Sequence, residues 1–279
     1  MRKTTRNFLT LLAAIALLFL GTAVQASQPM NGDAQTGDIP NDATWAQVSS
    51  WLSTTKNVVE LGDATIIIET NDTASDAGFQ IFLDGTGWRN VRVYDSNGQL
   101  ILRANANGGT RNIGGGTELF IETAEPEYED LDGMQELIEM LPEGEYFFLA
   151  RYTDGNWATA TAELTHTVPD GPEIVYPAPT GNEDECTTGV FADSVYVEWE
   201  PVETDIWGSD DIEIVGYQVI VETDDDDYRY FSVTVPADVS IVTVPEEVLA
   251  EGTEFKFEIL AIEESGNQTI AESCFETEE

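Results

Sequence analysis

The stretch Thr253-Glu-Phe-Lys-Phe-Glu-Ile-Leu-Ala-Ile-Glu-Glu-Ser-Gly-Asn267 decides the fold of the C-terminal half. Its apolar and mostly charged positions alternate, with Phe255, Phe257, Ile259 and Ala261 set between Glu254, Lys256, Glu258 and Leu260. In an extended strand, side chains that alternate with a period of two residues face opposite sides, so one side lies toward a core and the other toward water. A strand ending in a turn precedes it at residues 242–252, and Ser265-Gly-Asn-Gln begins a return hairpin. The stretch therefore predicts a β-sandwich strand.

The N-terminus has the composition of a secretory signal peptide. Arg2, Lys3 and Arg6 precede an apolar run at residues 8–20, and Val24-Gln-Ala26 loosely fits a cleavage site. The run is too short for a membrane span, and no cysteine sits at the cleavage site to take a lipid. We expect residues 1–26 to be removed and the mature chain, from Ser27, to be secreted or periplasmic without a membrane span.

The chain is strongly acidic. Of its 279 residues, 53 are Asp or Glu and 11 are Lys or Arg, which gives a net charge of −42. Removing the signal peptide takes away three basic residues, so eight remain and the net charge becomes −45. This charge repels nucleic acid and anionic lipid. It fits either a solubilised surface or a medium rich in salt or divalent cations.

Few residue types suited to catalysis are present. Cys186 and Cys274 predict a disulfide in an exported chain. The single histidine, His166, lies near the end of a predicted strand, where we expect a structural role. The sequence contains no Gly-x-Ser-x-Gly elbow and no phosphate loop, so no nucleophilic triad or nucleotide site is expected. Hydrolysis by paired carboxylates stays open, although no pair stands out.

The N-terminal half divides into a leader and a β-rich region. Residues 27–62 predict a leader, loose up to residue 40, with a short helix on which Trp45, Val48 and Leu52 share a face. Residues 63–170 predict an immunoglobulin-like domain with a hairpin turn at Asn97-Gly98 and a short helix within 125–139. Tyr146 is a candidate for a tyrosine corner in this domain.

The stretch Val168-Pro-Asp-Gly-Pro172 is typical of a linker, and residues 171–279, the second predicted domain, hold seven predicted strands. Trp199, before Glu200-Pro-Val202, resembles the B-strand tryptophan of fibronectin type III domains, and Gly216-Tyr-Gln-Val219 resembles their C strand. The resemblance implies a core containing Trp199, Tyr217 and Phe255, with Phe255 replacing the corner tyrosine and its hydrogen bond. The predicted fold class is all-β: two tandem immunoglobulin-like or fibronectin type III-like sandwiches, with short helices in the N-terminal part.

Calcium is the ligand that the acidic composition favours, since it takes several oxygen ligands. Four candidate ligands, Glu69, Asn71, Asp72 and Asp76, lie within eight residues where one predicted strand ends. A second candidate is the run Asp224-Asp-Asp-Asp227. Neither matches an EF-hand loop, and an ordinary polar turn and a solvated hairpin tip are the respective alternatives. No other cofactor is expected.

The function is predicted only as a class, because unrelated proteins use such sandwiches for binding, spacing and adhesion. The leading hypothesis is a non-catalytic exported protein for protein or glycan binding, or for surface or extracellular assembly. The alternative is an accessory or catalytic module of polysaccharide-degrading machinery. An exposed row of Trp88, Trp157 and Trp207 would favour glycan binding, whereas two carboxylates in a cleft with hydrolytic geometry would favour the alternative.

Overall fold

The computed structural model describes residues 39–40, 42–55, 57–180, 185–223 and 228–278. The predicted signal peptide, residues 27–38 of the leader and the aspartate run at 224–227 lie outside the described residues. The described helices and strands are α1 (Trp45–Leu52), β1 (Val58–Glu60), β2 (Ala64–Asn71), β3 (Asp76–Tyr94), β4 (Leu100–Asn105), α2 (Gly108–Asn112), β5 (Gly116–Glu122), α3 (Leu131–Ile138), β6 (Gly144–Tyr152), β7 (Trp157–Leu164), β8 (Glu173–Tyr176), β9 (Thr187–Phe191), β10 (Tyr196–Glu200), β11 (Ile214–Glu222), β12 (Tyr230–Pro236), β13 (Ile241–Thr243), β14 (Glu254–Glu263) and β15 (Gln268–Glu278). The fold is all-β with short helices, as the sequence predicts.

Strands β8 to β15 form the C-terminal sandwich. One sheet has the order β13-β10-β8, the other contains β15-β14-β11-β12, and their apolar faces enclose a common core. Trp199, Tyr217 and Phe255 are fully buried there. The Trp199 and Tyr217 rings lie 5.2 Å apart, and the Tyr217 hydroxyl accepts a 2.8 Å hydrogen bond from the Val202 N–H. The alternation of the opening stretch, now β14, thus places its aromatic residues in this core.

A disulfide fastens the last strand of the C-terminal sandwich. Cys186 and Cys274, the pair expected from the sequence, are bonded with their Cα atoms 4.7 Å apart. Next to this bond, β9 pairs in parallel with β15. The sequence did not predict strand β9. The disulfide therefore ties the segment leading into β9 to the sheet edge that β9 covers.

The N-terminal sandwich is built around β3, which changes partners halfway along. Its first part pairs with β2 and β5, and its second part pairs with β6 and β4. Gly87 carries the chain through the bend with a φ of +99°. A Cβ atom on Gly87 would lie 2.5 Å from the Gly114 carbonyl oxygen, so the close approach requires glycine. Strand β3 thereby contributes residues to both layers around the core of the N-terminal sandwich. Met134 of α3 is buried in the same core.

Two predicted structural roles are seen at the start of β6. The buried Tyr146 donates its hydroxyl proton to the Pro142 carbonyl at 2.9 Å, which is the arrangement of a tyrosine corner. The ring Nε2 of His166 lies 2.8 Å from the Leu141 carbonyl oxygen, and the His166 N–H donates to the Glu143 carboxylate at 2.7 Å. His166 is therefore held by the backbone and side chain of the same turn.

Helix α1 lies across the outer face of β6 and β7. Val48 is buried in a small cluster with Ile39, Tyr94, Leu149 and Trp157. The segment before α1 is fixed by the buried Arg92, whose guanidinium donates to the Pro40 and Ile39 carbonyls at 2.7 and 2.9 Å. Residues 39 and 40, which the sequence assigns to a loose leader, are instead part of the folded body.

The two sandwiches share one sheet. Strand β2 of the N-terminal sandwich pairs in parallel with β15 of the C-terminal sandwich, with Glu69 opposite Gln268 and Asn71 opposite Ile270. Among the described residues, a single hydrogen-bonded path runs β1-β7-β6-β3-β2-β15-β14-β11-β12. The sequence predicts tandem sandwiches but not this pairing, because a parallel partner more than 190 residues away leaves no local pattern.

Candidate functional site

A buried asparagine forms hydrogen bonds across the junction between β2 and β15. Asn267 is 1% exposed, and its side-chain oxygen accepts a 2.8 Å hydrogen bond from the Ile68 N–H. Its amide group donates to the Thr165 carbonyl at 3.0 Å and to the Thr167 carbonyl at 2.7 Å. One side chain of the C-terminal sandwich thus satisfies three backbone groups of the N-terminal half, each of which would otherwise be costly to bury.

Hydroxyl groups and backbone bonds extend the contact around Asn267. The Thr70 and Thr269 hydroxyls lie 2.8 Å apart, as do those of Thr165 and Ser265. The Asp72 N–H donates to the Ile270 carbonyl at 2.9 Å, which continues the parallel ladder beyond β2. The junction is therefore a satisfied polar network inside a continuous sheet, and such networks stabilise one arrangement of their elements.

A cluster of carboxylates lies on one face of this junction. Oxygens of Glu69, Glu122 and Glu125 come within 4.8 Å of one another. Glu69 is buried at the end of β2 and accepts a hydrogen bond from the Gln268 amide. Glu122 ends β5 and accepts a 3.1 Å hydrogen bond from Gln80 on β3. The pairing of β3 with both β2 and β5 brings Glu69 and Glu122 together, and Glu125 follows three residues after the end of β5.

Burial favours the neutral form of several carboxyl groups at the junction. It raises the pKa of Glu69 to about 8, against an opposing effect of the Gln268 hydrogen bond and with added repulsion from Glu122 and Glu125. Burial likewise raises the pKa of Glu125 to about 7, assisted by Glu122 and Asp76. The same cause raises the pKa of Glu258 to about 7 on the adjoining part of the sheet. At neutral pH the cluster therefore carries less negative charge than its composition suggests.

The predicted calcium ligands are spread over this region. Glu69 belongs to the cluster with Glu122 and Glu125, whereas Asp72 lies near Asp170. The backbone of Asp76 pairs with that of Glu127 in an isolated antiparallel β-bridge. Burial, with repulsion from Asp170, raises the pKa of Asp72.

The remaining predicted ligand, Asn71, uses its side-chain oxygen to accept a 3.0 Å hydrogen bond from the Ala74 N–H within the turn. Calcium binding by the four residues stays a prediction. The second candidate, residues 224–227, lies outside the described residues. Glu122 and Glu125 were missed because their approach to Glu69 depends on the register of β3 with β5, which no sequence pattern shows.

The tryptophans proposed for glycan stacking do not form an exposed row. Trp88 is 7% and Trp157 is 4% exposed, and only Trp207, at 39%, presents a large surface to solvent. The Trp88 indole packs so closely against Gly116 that a Cβ atom there would come within 2.3 Å of the ring. Trp88 and Trp157 therefore stabilise the N-terminal sandwich, and glycan binding by these three residues has no support in the structure.

The burial of the carboxylate cluster disfavours glycosidase chemistry. A catalytic carboxyl group of a glycosidase must reach the glycosidic bond of its substrate. Glu69 is only 7% exposed, and Glu122 and Glu125 are half-buried. Glu69, the innermost of the three, therefore has little access to a sugar ring.

No protein-family model and no curated protein matches the chain. Among solved structures, it is similar to the FN1-FN3 domains of chicken CNTN1, with 11% identity over 80% of this chain and 66% of that chain and a TM-score of 0.30. It is also similar to a tetra-tandem repeat in the extending region of a large adhesion protein, with 17% identity over 77% of this chain and 50% of that chain and a TM-score of 0.25. The chain thus spans less than two thirds of either structure.

Proposed function

We propose that the chain is a non-catalytic exported protein that makes protein or glycan contacts, or serves in surface or extracellular assembly, through two β-sandwiches held in a fixed relation. The observation that carries this proposal is the parallel pairing of β2 with β15 around Asn267. A sheet that continues from one core to the other fixes the loops and faces of both sandwiches. Fixed surfaces suit recognition and assembly, because little conformational entropy is lost on binding.

The side chains with catalytic potential support the same proposal. His166, the single histidine of the chain, is engaged by Leu141 and Glu143. Cys186 and Cys274 are bonded to each other, so no thiol is available as a nucleophile. The buried carboxylate cluster resembles a structural junction more than an accessible acid–base pair.

The disulfide and the N-terminal residues support an exported location. A disulfide persists in oxidising surroundings, which supports export, and the N-terminal 26 residues match a cleavable signal. In the described part of the chain, no helix is both long and apolar enough to cross a membrane.

Turnover measurements test the proposal. The purified mature chain is incubated with a panel of ester, peptide and glycoside substrates, and we expect no product above the level of a heat-denatured control. Turnover that Glu69→Gln or Glu122→Gln abolishes would replace this proposal with the alternative, a catalytic module acting on polysaccharide. The same two variants also report on folding, so their melting temperatures are measured alongside.

A further inference from the structure

A groove lies between helix α1 and the outer face of the N-terminal sandwich. Its walls include Trp45 and Ser49 of α1, Glu60 and Asp63 at and after β1, Phe147 of β6 and Thr161 of β7. It is separate from the carboxylate cluster at the junction, because none of its lining residues belongs to that cluster. Neither the predicted calcium ligands nor the predicted row of tryptophans accounts for it.

One wall of the groove is aromatic. The Trp45 indole stacks on the Phe147 ring with 4.6 Å between the ring centroids and 14° between their planes. Both residues are half-buried, so packing fixes the rings while part of each still borders the groove. The two rings cover each other's facing surfaces, and the parts that still border the groove can provide apolar contact for the C–H groups of a pyranose ring.

Four other lining residues carry side-chain oxygen atoms that are not engaged in hydrogen bonds with the described residues. Ser49, Glu60, Asp63 and Thr161 are exposed, and within the described part of the chain no hydrogen bond or ion pair uses their side chains. Hydroxyl groups donate and accept, whereas carboxylates only accept. This combination matches a ligand rich in hydroxyl donors.

The charge of the groove selects among such ligands. Its described lining contains two carboxylates, Glu60 and Asp63, and no lysine or arginine. Anionic saccharides would be repelled by these carboxylates and by the net charge of the chain, while neutral saccharides would not. From the aromatic wall, the free oxygens and this charge, we infer that the groove binds a neutral saccharide. The assignment rests on the proposed non-catalytic binding role and names its ligand class.

The groove is formed before any ligand arrives. Helix α1 is anchored by the 2.9 Å hydrogen bond from the Trp45 N–H to the Gly98 carbonyl and by edge contact of Trp51 with Trp157, with centroids 5.1 Å apart. The opposite wall is fixed by the Leu61 N–H, which donates to the Thr159 carbonyl at 2.9 Å. A preformed site loses little entropy when it binds its ligand.

The test uses the purified mature chain with four neutral probes, cellohexaose, xylohexaose, maltohexaose and N-acetylchitohexaose, and hexagalacturonate as the anionic probe. Binding is followed by calorimetry and by tryptophan fluorescence. We expect at least one neutral hexasaccharide to bind and hexagalacturonate to bind at least tenfold more weakly. Thr161→Arg should weaken binding of the neutral hexasaccharide at least tenfold. The long arginine side chain would enter the groove from an exposed position of β7 without removing a core contact.

Two matched variants keep the test specific. Thr243→Arg places the same substitution on an exposed strand position of the C-terminal sandwich, and Trp207→Ala removes the exposed tryptophan; both should bind as the wild type does. If no neutral hexasaccharide binds, or if Thr243→Arg weakens binding as much as Thr161→Arg, the groove assignment is wrong while the proposed function stands. Release of reducing ends from a bound probe would instead overturn the proposed function, and it is measured in the same samples.

Discussion

Corresponding strands of the two sandwiches begin with the same sequence pattern, but different hydrogen bonds close the turns that precede them. Leu141-Pro-Glu-Gly144 leads into β6, and Leu249-Ala-Glu-Gly252 leads into β14. Both glycines have a positive φ, +121° and +63°, where a side chain would strain the backbone. In the N-terminal sandwich, the Tyr146 hydroxyl then closes the turn by donating to the Pro142 carbonyl.

The C-terminal turn is closed from another strand. Phe255 occupies the equivalent entry and stacks on Phe275 at 5.3 Å, without a hydroxyl to donate. Thr277 of β15 supplies the hydrogen bond that Phe255 cannot make. Its hydroxyl donates to the Ala250 carbonyl and accepts a 3.0 Å hydrogen bond from the Thr253 N–H. In both sandwiches a carbonyl of the turn accepts a side-chain hydrogen bond, which a neighbouring strand supplies in one and a corner tyrosine in the other.

The largest expected difference between the sandwiches comes from the disulfide, which only the C-terminal sandwich has. Replacing both Cys186 and Cys274 by Ala should lower the free energy of unfolding by roughly 4–5 kcal/mol, because the bond closes a loop of 88 residues. Amide hydrogen exchange should accelerate most in β9, β14 and β15. Exchange that accelerates equally in β3 and β6 would show that the bond stabilises the whole body and not one sandwich.

Asn267→Ala should weaken the connection between the sandwiches. The substitution removes the partner of the buried Ile68 N–H and of the half-buried Thr165 and Thr167 carbonyls, which costs about 2–4 kcal/mol. Amide relaxation in solution should give one rotational correlation time for both sandwiches of the wild type and two different times for the variant. Asn105→Ala, at an exposed position of β4, is the control and should behave as wild type.

The sequence predicts what depends on neighbours along the chain. The alternation around Phe255, the burial of Trp199 and the pairing of the only two cysteines follow from local pattern or from count. Asn267 shows the limit: it is predicted in a return turn, where asparagine is common, yet its side chain completes the N-terminal sandwich. Nothing local distinguishes a turn asparagine in water from one buried by a strand that is distant in sequence.

The carboxylates at the junction should make stability depend on pH. Burial raises the pKa of Glu69 in the folded state from 4.5 to about 8, and those of Glu125 and Glu258 to about 7. A raised folded pKa contributes stability that is fully present below the unfolded value and is lost as pH rises through the folded value. We therefore expect the urea midpoint to fall between about pH 4.5 and pH 8.

Glu69→Gln separates this contribution from the rest of the acidic surface. The variant cannot ionise at this position and keeps an oxygen that accepts from Gln268, so its urea midpoint should fall less steeply over the same pH range. Glu145→Gln, at an exposed position of β6, is the control and should follow the wild-type slope. Identical slopes for all three proteins would mean that Glu69 does not titrate in this range.

The two turn closures should contribute similar, smaller amounts. Tyr146→Phe removes the hydrogen bond to Pro142, and Thr277→Val removes the hydrogen bonds to Ala250 and Thr253; each should lower the free energy of unfolding by about 1–2 kcal/mol. Phe255→Tyr should not add stability, because Thr277 already satisfies the turn. Chemical denaturation measures all three. A gain of more than about 1 kcal/mol in Phe255→Tyr would contradict this account of the C-terminal turn.

The smallest expected effect concerns calcium and the end of β2, the side of the junction that belongs to the N-terminal sandwich. If Glu69, Asn71, Asp72 and Asp76 hold the ion, calcium should raise the melting temperature by about 2–4 °C more than sodium at matched ionic strength, since an ion bound only to the folded state stabilises it by mass action. Asp72→Ala should lose this gain.

Glu122→Gln then distinguishes the turn from the carboxylate cluster, because Glu122 belongs to the group around Glu69 but not to the turn. Binding at the turn leaves the calcium gain of Glu122→Gln unchanged, whereas binding at the cluster removes it. Equal gains in wild type, Asp72→Ala and Glu122→Gln would contradict both placements. Calcium would then act by diffuse screening of a surface with 53 acidic residues, and the pairing of β2 with β15 would need no cation to bring its carboxyl groups together.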